Sequence, residues 1–203
     1  MKHLFSALLV GLLLTTCKER TSEDPQNQLP PITQNGANTA GCLVNGKVLV
    51  PKNGTQNFGG PPAYGLFISR LYGSFRLDIK NYKNDGFVHM YISKLDDNKV
   101  TYNIGQSDGQ PFEPHSNSSE AQLYAVNNNN IYISSANSGT ISITKNSYPI
   151  ISGTFSASLY NKDNPSEKIQ ITDGRFDINV ATLNKYNRQI EKSDFCKRNV
   201  QKK

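Results

Sequence analysis

The sequence predicts an all-β domain, an antiparallel β-sandwich or flattened barrel of about 11–12 short strands followed by a short C-terminal helix or coil. Three observations point there. Apolar residues recur at every second position, as where Phe75, Leu77 and Ile79 alternate with Arg76, Asp78 and Lys80, the pattern of a strand with one buried face. Turn-forming Asn, Gly, Asp and Pro punctuate these runs at short intervals, and helical periodicity is nearly absent. A chain with 36% hydrophobic residues and no Trp also suits two thin layers better than a thick core.

The elements follow in order. Residues 41–44 and 47–50 flank Asn45-Gly46, a hairpin signal because both central positions of a type I′ turn need φ above zero. Pro51 stops the second strand, and 52–63 is a Gly/Pro/Asn-rich loop. Strands at 65–72 and 74–81 are separated by Gly73, and others follow at 87–93 and 100–104. The stretch 105–120 is polar and without periodicity, hence a long loop. Strands at 122–126 and 131–134 flank the turn 127–130, and 139–145 and 150–160 alternate again. Strands at 168–172 and 175–180 flank Asp173-Gly174, read as a second hairpin turn. Residues 180–192 are weakly helical, and no fixed-period repeat is present.

The N-terminus carries an address. Met1-Lys2-His3 is a basic head, residues 4–14 are an apolar run, and Leu14-Thr15-Thr16-Cys17 closes it. The run is too short for a membrane span, which needs ~20 residues, and has the length of a signal-peptide core. Residues 1–16 are therefore expected to be a lipoprotein signal peptide, and Cys17 the lipidated N-terminus of the mature chain. Residues 17–39 are Pro-, Gln-, Asn- and Thr-rich and read as a flexible tether, whose extended reach would be ~75 Å. A single β domain with a basic C-terminal tail, 40–203, follows.

The three cysteines support this division. Cys42 and Cys196 can pair in an oxidising compartment, leaving Cys17 for the lipid. Such a disulfide would stabilise the fold by ~4–5 kcal/mol on chain-entropy grounds. Charge is unevenly placed. From Cys17 to Thr182, 14 basic residues balance 14 acidic ones, while 183–203 holds seven basic against two acidic. That tail reads as a solvated helix or coil with scope for anionic lipid or an acidic partner. A nucleic-acid partner is not expected, because no basic face is interleaved with aromatics.

Candidate chemistry is sparse. Nucleophile-elbow, zincin, P-loop and dinucleotide motifs are missing. His89, in phase with Phe87 and Tyr91, reads as a hydrogen-bonded strand histidine. His115, near Asp108 and Glu120, could at most contribute to a loop metal site, but the spacing matches no known one, so no metal or cofactor is expected. Asp96-Asp97-Asn98 and Asp163-Asn164 lack the ligand spacing of a calcium loop and read as turns. Cys42 and Cys196 have no His or third Cys nearby in sequence for a zinc site. Tyr64, Tyr72, Tyr82, Tyr91, Tyr102, Tyr124 and Tyr132 sit in or at the ends of strands, where Tyr is an edge-of-core residue or a stacking surface for a ligand.

The stretch Leu29-Pro30-Pro31-Ile32-Thr33-Gln34-Asn35-Gly36-Ala37-Asn38-Thr39-Ala40-Gly41-Cys42-Leu43-Val44-Asn45-Gly46-Lys47 resembles the start of a group of uncharacterised lipoproteins of the Bacteroidota, and Ile171-Thr172-Asp173-Gly174-Arg175-Phe176-Asp177-Ile178 resembles their closing hairpin. The resemblance implies a β-sandwich lipoprotein of the outer membrane or cell surface. It brings no activity, cofactor or catalytic residue. Lys18-Glu19, with Glu23-Asp24, also resembles the acidic surface-export signal of that group.

The expectation is a non-enzymatic binding or interaction module, held to the membrane by a lipid on Cys17, periplasmic or, slightly favoured, surface-exposed. Its ligand would be another envelope protein first and a polysaccharide second. A structural accessory subunit of an envelope complex is the alternative, and a carboxylate-based hydrolase a lesser one. A concave groove lined by Tyr would favour ligand capture, a flat apolar patch a protein partner, and two close carboxylates with one raised pKa a hydrolase.

Overall fold

In the computed structural model, residues 24–55, 63–110 and 119–183 are described. They form eleven strands: β1 (Thr39–Val44), β2 (Lys47–Leu49), β3 (Leu66–Ser69), β4 (Phe75–Asn81), β5 (Gly86–Ile92), β6 (Thr101–Ile104), β7 (Ala121–Asn127), β8 (Asn130–Ile133), β9 (Gly139–Ser147), β10 (Ile150–Asn161) and β11 (Lys168–Asn179). The all-β expectation holds. All eleven belong to one sheet in the order β2-β1-β11-β10-β9-β6-β7-β5-β4-β3, with β8 joining β7 to β10 off this path.

The sheet curls on itself. Past β2, the Lys52 amide donates to the Lys80 carbonyl at 3.0 Å and the Tyr82 amide donates to the Lys52 carbonyl at 3.2 Å, a parallel bridge between Lys52 and Asn81. Together with the β7-β8-β10 link, this joins β10, β11, β1, β2, β4, β5, β7 and β8 into a closed, flattened barrel. Strand closure of this kind removes unpaired edges within the ring, while β3, among the described residues, pairs with β4 alone and remains an edge strand. The inward positions of the alternation fill a single core that includes Phe75, Leu77 and Ile79 from β4, Val88, Met90 and Ile92 from β5, and Ile141, Leu159 and Ile171 from the opposite wall.

Local sequence explains the tight corners. Asn45 and Gly46 have φ of 49° and 74°, both central residues of the expected hairpin turn being left-handed. Asn128 and Asn129, with φ of 50° and 64°, do the same between β7 and β8. Asp173-Gly174 departs from expectation. β11 runs unbroken through it, and Asp173, with φ of 53°, sits where the register of β11 shifts against both neighbours, between Phe155 and Ala157 of β10 and between Gly41 and Leu43 of β1. A positive φ serves a bulge as well as a turn, and two long pairing partners make the bulge the better use here. The strand expected at 65–72 is also shorter, ending at Ser69, because Tyr72 and Gly73 take up φ of 50° and 87° in the turn to β4.

Where β10 and β11 cross the core, glycine faces phenylalanine twice: Gly153 is opposite Phe176, and Phe155 is opposite Gly174. Each ring lies over the glycine across from it. A Cβ on Gly153 would fall 2.7 Å from Phe176 Cζ, and one on Gly174 would fall 2.6 Å from Phe155 Cδ2. Phe176 then meets Phe75 of the opposite wall, with ring centroids 5.8 Å apart.

The expectation for the tether changes. The part of the tether from Asp24 onward is laid against the barrel. Asp24 caps a 3-10 turn, Pro25–Gln28, through its Oδ1, and Leu29 is buried, a burial that stabilises by about 2 kcal/mol. Residues 33–37 then wrap the carboxylate of Asp177. Thr33 Oγ1 donates to it at 2.6 Å, and the amides of Asn35, Gly36 and Ala37 donate at 3.1, 2.8 and 3.2 Å. Ser152 Oγ adds a fifth bond at 2.7 Å. Burial would raise the Asp177 carboxyl, but these donors outweigh it and hold it at about 2. The strap looks featureless in sequence because backbone amides hold it, not an apolar stripe.

The expected pairing with Cys196 falls outside the described residues, and among those residues Cys42 is a free, buried thiol. Its side chain is part of the apolar core, where cysteine behaves as a small hydrophobe, and burial pushes its thiol up to about 12. Cys196 lies outside the described residues, as do the expected signal peptide, Cys17 and the basic tail beyond Leu183. Residues 180–183 begin a helix, and the remainder of the expected helical stretch is outside the described residues. Among the described residues no helix is long and apolar enough to cross a membrane.

Candidate ligand-binding site

The outward face of β3, β4, β5 and β7 carries the polar half of the alternation. Antiparallel register sets Phe67, Asp78, His89 and Tyr124 in one row across four strands. Arg76 and Tyr91 lie in the next row on one side, and Lys80 and Phe87 in the next on the other. Sequence positions far apart thus become near neighbours on one surface.

Asp78 is the hub. It is 8% exposed, and His89 beside it 3%. Asp78 Oδ1 lies 2.7 Å from His89 Nδ1, and Arg76 grips the same carboxylate through Nε at 3.1 Å and Nη2 at 2.5 Å. Burial would raise the Asp78 carboxyl, but the hydrogen bonds and charges of His89 and Arg76 prevail and keep it below the usual carboxylate range. A buried carboxylate needs such partners. Tyr124 stacks on His89 with ring centroids 4.7 Å apart, and its hydroxyl is pushed up by burial and then by Asp78.

Above this floor lies a cavity of about 230 Å³ lined by Tyr64, Phe67, Arg76, Asp78, Lys80, Tyr82 and Phe87. The Arg76 guanidinium sits 5.1 Å from the centre of the Phe67 ring, and Lys80 Nζ sits 4.2 Å from that of Tyr82. Both are within cation–π range. Four aromatic walls, two cations and one carboxylate therefore converge on a concavity large enough for part of a small polar molecule.

Of the tyrosines singled out in the sequence, Tyr64 and Tyr82 line the cavity and Tyr91 and Tyr124 flank its floor. Tyr102 is buried in the core with its hydroxyl accepting from the Asp96 amide at 2.8 Å. Tyr132 is buried and donates its hydroxyl to Glu167. Tyr72 is fully exposed at the β3–β4 turn. His89 is the hydrogen-bonded strand histidine expected. His115 is outside the described residues. Glu120 pairs with Lys99, and Asp108 Oδ1 accepts from the Gln110 amide at 2.9 Å. Asp96 accepts from the Asn98 amide at 2.8 Å in a turn, and Asp97 accepts from Asn146 at 2.7 Å. The Asp163 amide donates to Asn161 Oδ1 at 2.9 Å. Among the described residues no three His, Cys, Asp or Glu side chains form a metal-sized group.

Sequence reasoning missed Phe67, Arg76, Asp78, Lys80 and Phe87 as site residues. Their signal was present as outward positions of three strands, β3, β4 and β5, and register alone turns those positions into a cluster.

Comparison of the chain with protein-family models, with curated proteins and with solved structures finds no match in any of the three.

Proposed function

We propose that this protein is a cell-envelope lipoprotein, anchored by acyl chains on Cys17 at the outer membrane or cell surface, whose β domain is a non-enzymatic module that captures carbohydrate. The observation that carries the reading is the cavity walled by Tyr64, Phe67, Tyr82 and Phe87 with Arg76 and Lys80 at its rim. Aromatic faces receive the C–H faces of a sugar ring, while charged donors fix its orientation, the division of labour found in ligand sites generally. A concave aromatic site supports ligand capture over a flat protein-docking face, which raises polysaccharide above the envelope protein expected first from sequence.

At the cavity, against the effect of burial, His89 and Arg76 hold Asp78 below the usual carboxylate range, which supports a bound, ionised carboxylate there over a general acid. The Tyr132 hydroxyl and Asn161 amide hold Glu167 below the carboxylate range, as donors do for Asp78 and Asp177, whereas a general acid needs its pKa raised. The likeness to Bacteroidota lipoproteins supports the envelope address.

Three experiments test this reading. Membrane-isolated protein carries the mass of attached acyl chains, and Cys17→Ser releases it; a mature chain without added mass overturns the anchor. Full-length mature protein is retained on insoluble polysaccharide and Tyr82→Ala weakens retention; equal retention of both overturns capture in this cavity. Protease shaving of intact cells then separates a surface from a periplasmic domain.

A further inference from the structure

We infer that the cavity recognises a sugar carboxylate, held between Arg76 and Lys80; this rests on the carbohydrate reading above. Asp78 occupies one edge of the Arg76 guanidinium, the edge formed by Nε and Nη2. Among the described residues no acceptor takes Nη1 of Arg76, so the end formed by Nη1 and Nη2 is left to a ligand. Five donors in a rigid fork allow two carboxylates to be bound at once, one on the side and one on the end, and the end-on geometry is bidentate.

The protein fixes that fork before any ligand arrives. Phe67 lies against the guanidinium 5.1 Å from its centre, Asp78 grips its inner edge, and His89 holds Asp78 from the other side at 2.7 Å. Little side-chain freedom remains to be lost on binding, which is what favours affinity at a small site. Charge runs the same way. Asp78 is spent on Arg76 and His89, and Lys80 has no carboxylate partner among the described residues while sitting over Tyr82. The rim is therefore a net cation next to aromatic faces. A neutral sugar would leave that ammonium unanswered. A planar carboxylate on a pyranose meets the fork and the ammonium together, its ring lying on tyrosine. Uronates within a polysaccharide and sialates at the end of a glycan share this chemistry.

The test is binding of the full mature chain to an array of neutral, uronate-containing, sialylated and sulfated glycans, run for wild type, Lys80→Gln and Tyr82→Ala. Lys80 is chosen because no described ion pair depends on it, and circular dichroism confirms the fold of each variant. The expected result is binding confined to carboxylated glycans, weakened at least ten-fold by Lys80→Gln and by added salt, with the uronate and sialate arms naming the source. Equal binding of neutral sugars with no effect of Lys80→Gln overturns the carboxylate and leaves carbohydrate capture standing. Sulfated glycans bound as well as carboxylated ones also overturn it, in favour of charge alone. Binding to none of the glycans overturns both.

Discussion

Thr33 and Asp177, 144 positions apart, share a 2.6 Å hydrogen bond in which the Thr33 hydroxyl donates to a buried carboxylate. Around it, three backbone amides and Ser152 complete a five-donor cradle. A carboxylate that has given up water for five donors is stabilised as an anion, and that preference is also a contribution to folding.

Folding stability should therefore fall in acid in a defined window. Asp177 is depressed from 3.8 to about 2. Between those values the unfolded chain binds the proton first, so stability is complete above about pH 4 and is lost as pH falls towards 2. The contribution is on the order of 2 kcal/mol. Asp177→Asn should lose that amount at neutral pH and flatten the acid limb of a urea-denaturation series, while opening residues 30–38 to proteolysis. An unchanged acid limb in the variant would place the dependence elsewhere.

Cys42 should resist alkylation in the folded protein, because its thiol is buried and burial raises it to about 12. Unfolding in urea without reductant should expose it to iodoacetamide, read by peptide mass. A Cys42 that labels only after reduction would mean that a disulfide forms in the isolated protein.

Gly153→Ala should destabilise by about 3 kcal/mol, since its Cβ would meet the Ser142 carbonyl oxygen at 2.5 Å and the Phe176 ring at 2.7 Å, an overpacking that rigid neighbours cannot absorb. Gly73→Ala, with φ of 87° but open space around it, should cost only about 1 kcal/mol for the left-handed backbone. Denaturant midpoints compare the two directly. Equal losses would show that the sheet relaxes around Gly153.

Gln122 is buried with its Nε2 unpaired. A buried donor with no acceptor costs about 1–3 kcal/mol, so Gln122→Met, similar in length and without polar hydrogens, should leave stability unchanged or raise it by about 1 kcal/mol. A thermal-melt shift of a few degrees reads this out. A marked loss would reveal a partner for the amide in solution.

What was legible in sequence was whatever short-range chemistry dictates. The alternation in β4 marked Phe75, Leu77 and Ile79 as inward, and Asn45-Gly46 marked a hairpin. The bulge at Asp173 was not separable from a turn, because the local requirement, a positive φ, is the same and only pairing partners distinguish them. The strap was invisible for a different reason: its stabilising groups are main-chain amides, which every residue has, and their acceptor lies 140 or more positions away. The candidate site falls between these cases. Arg76, Asp78, Lys80, Phe87 and His89 were each readable as outward strand residues, but their convergence depends on the pairing of β4 with β5, which periodicity does not specify.

The docking of residues 24–38 also sets how the domain explores its surroundings. With a lipid at Cys17, only the seven residues to Asp24 span the gap, at most ~25 Å, rather than the ~75 Å of a free leash. Effective concentration falls roughly as the −3/2 power of tether length, so a leash about three-fold shorter gives a ligand fixed to the same membrane a roughly five-fold higher local concentration at the barrel. Severing the strap by Asp177→Asn would lengthen the leash and dilute that encounter without touching the cavity itself.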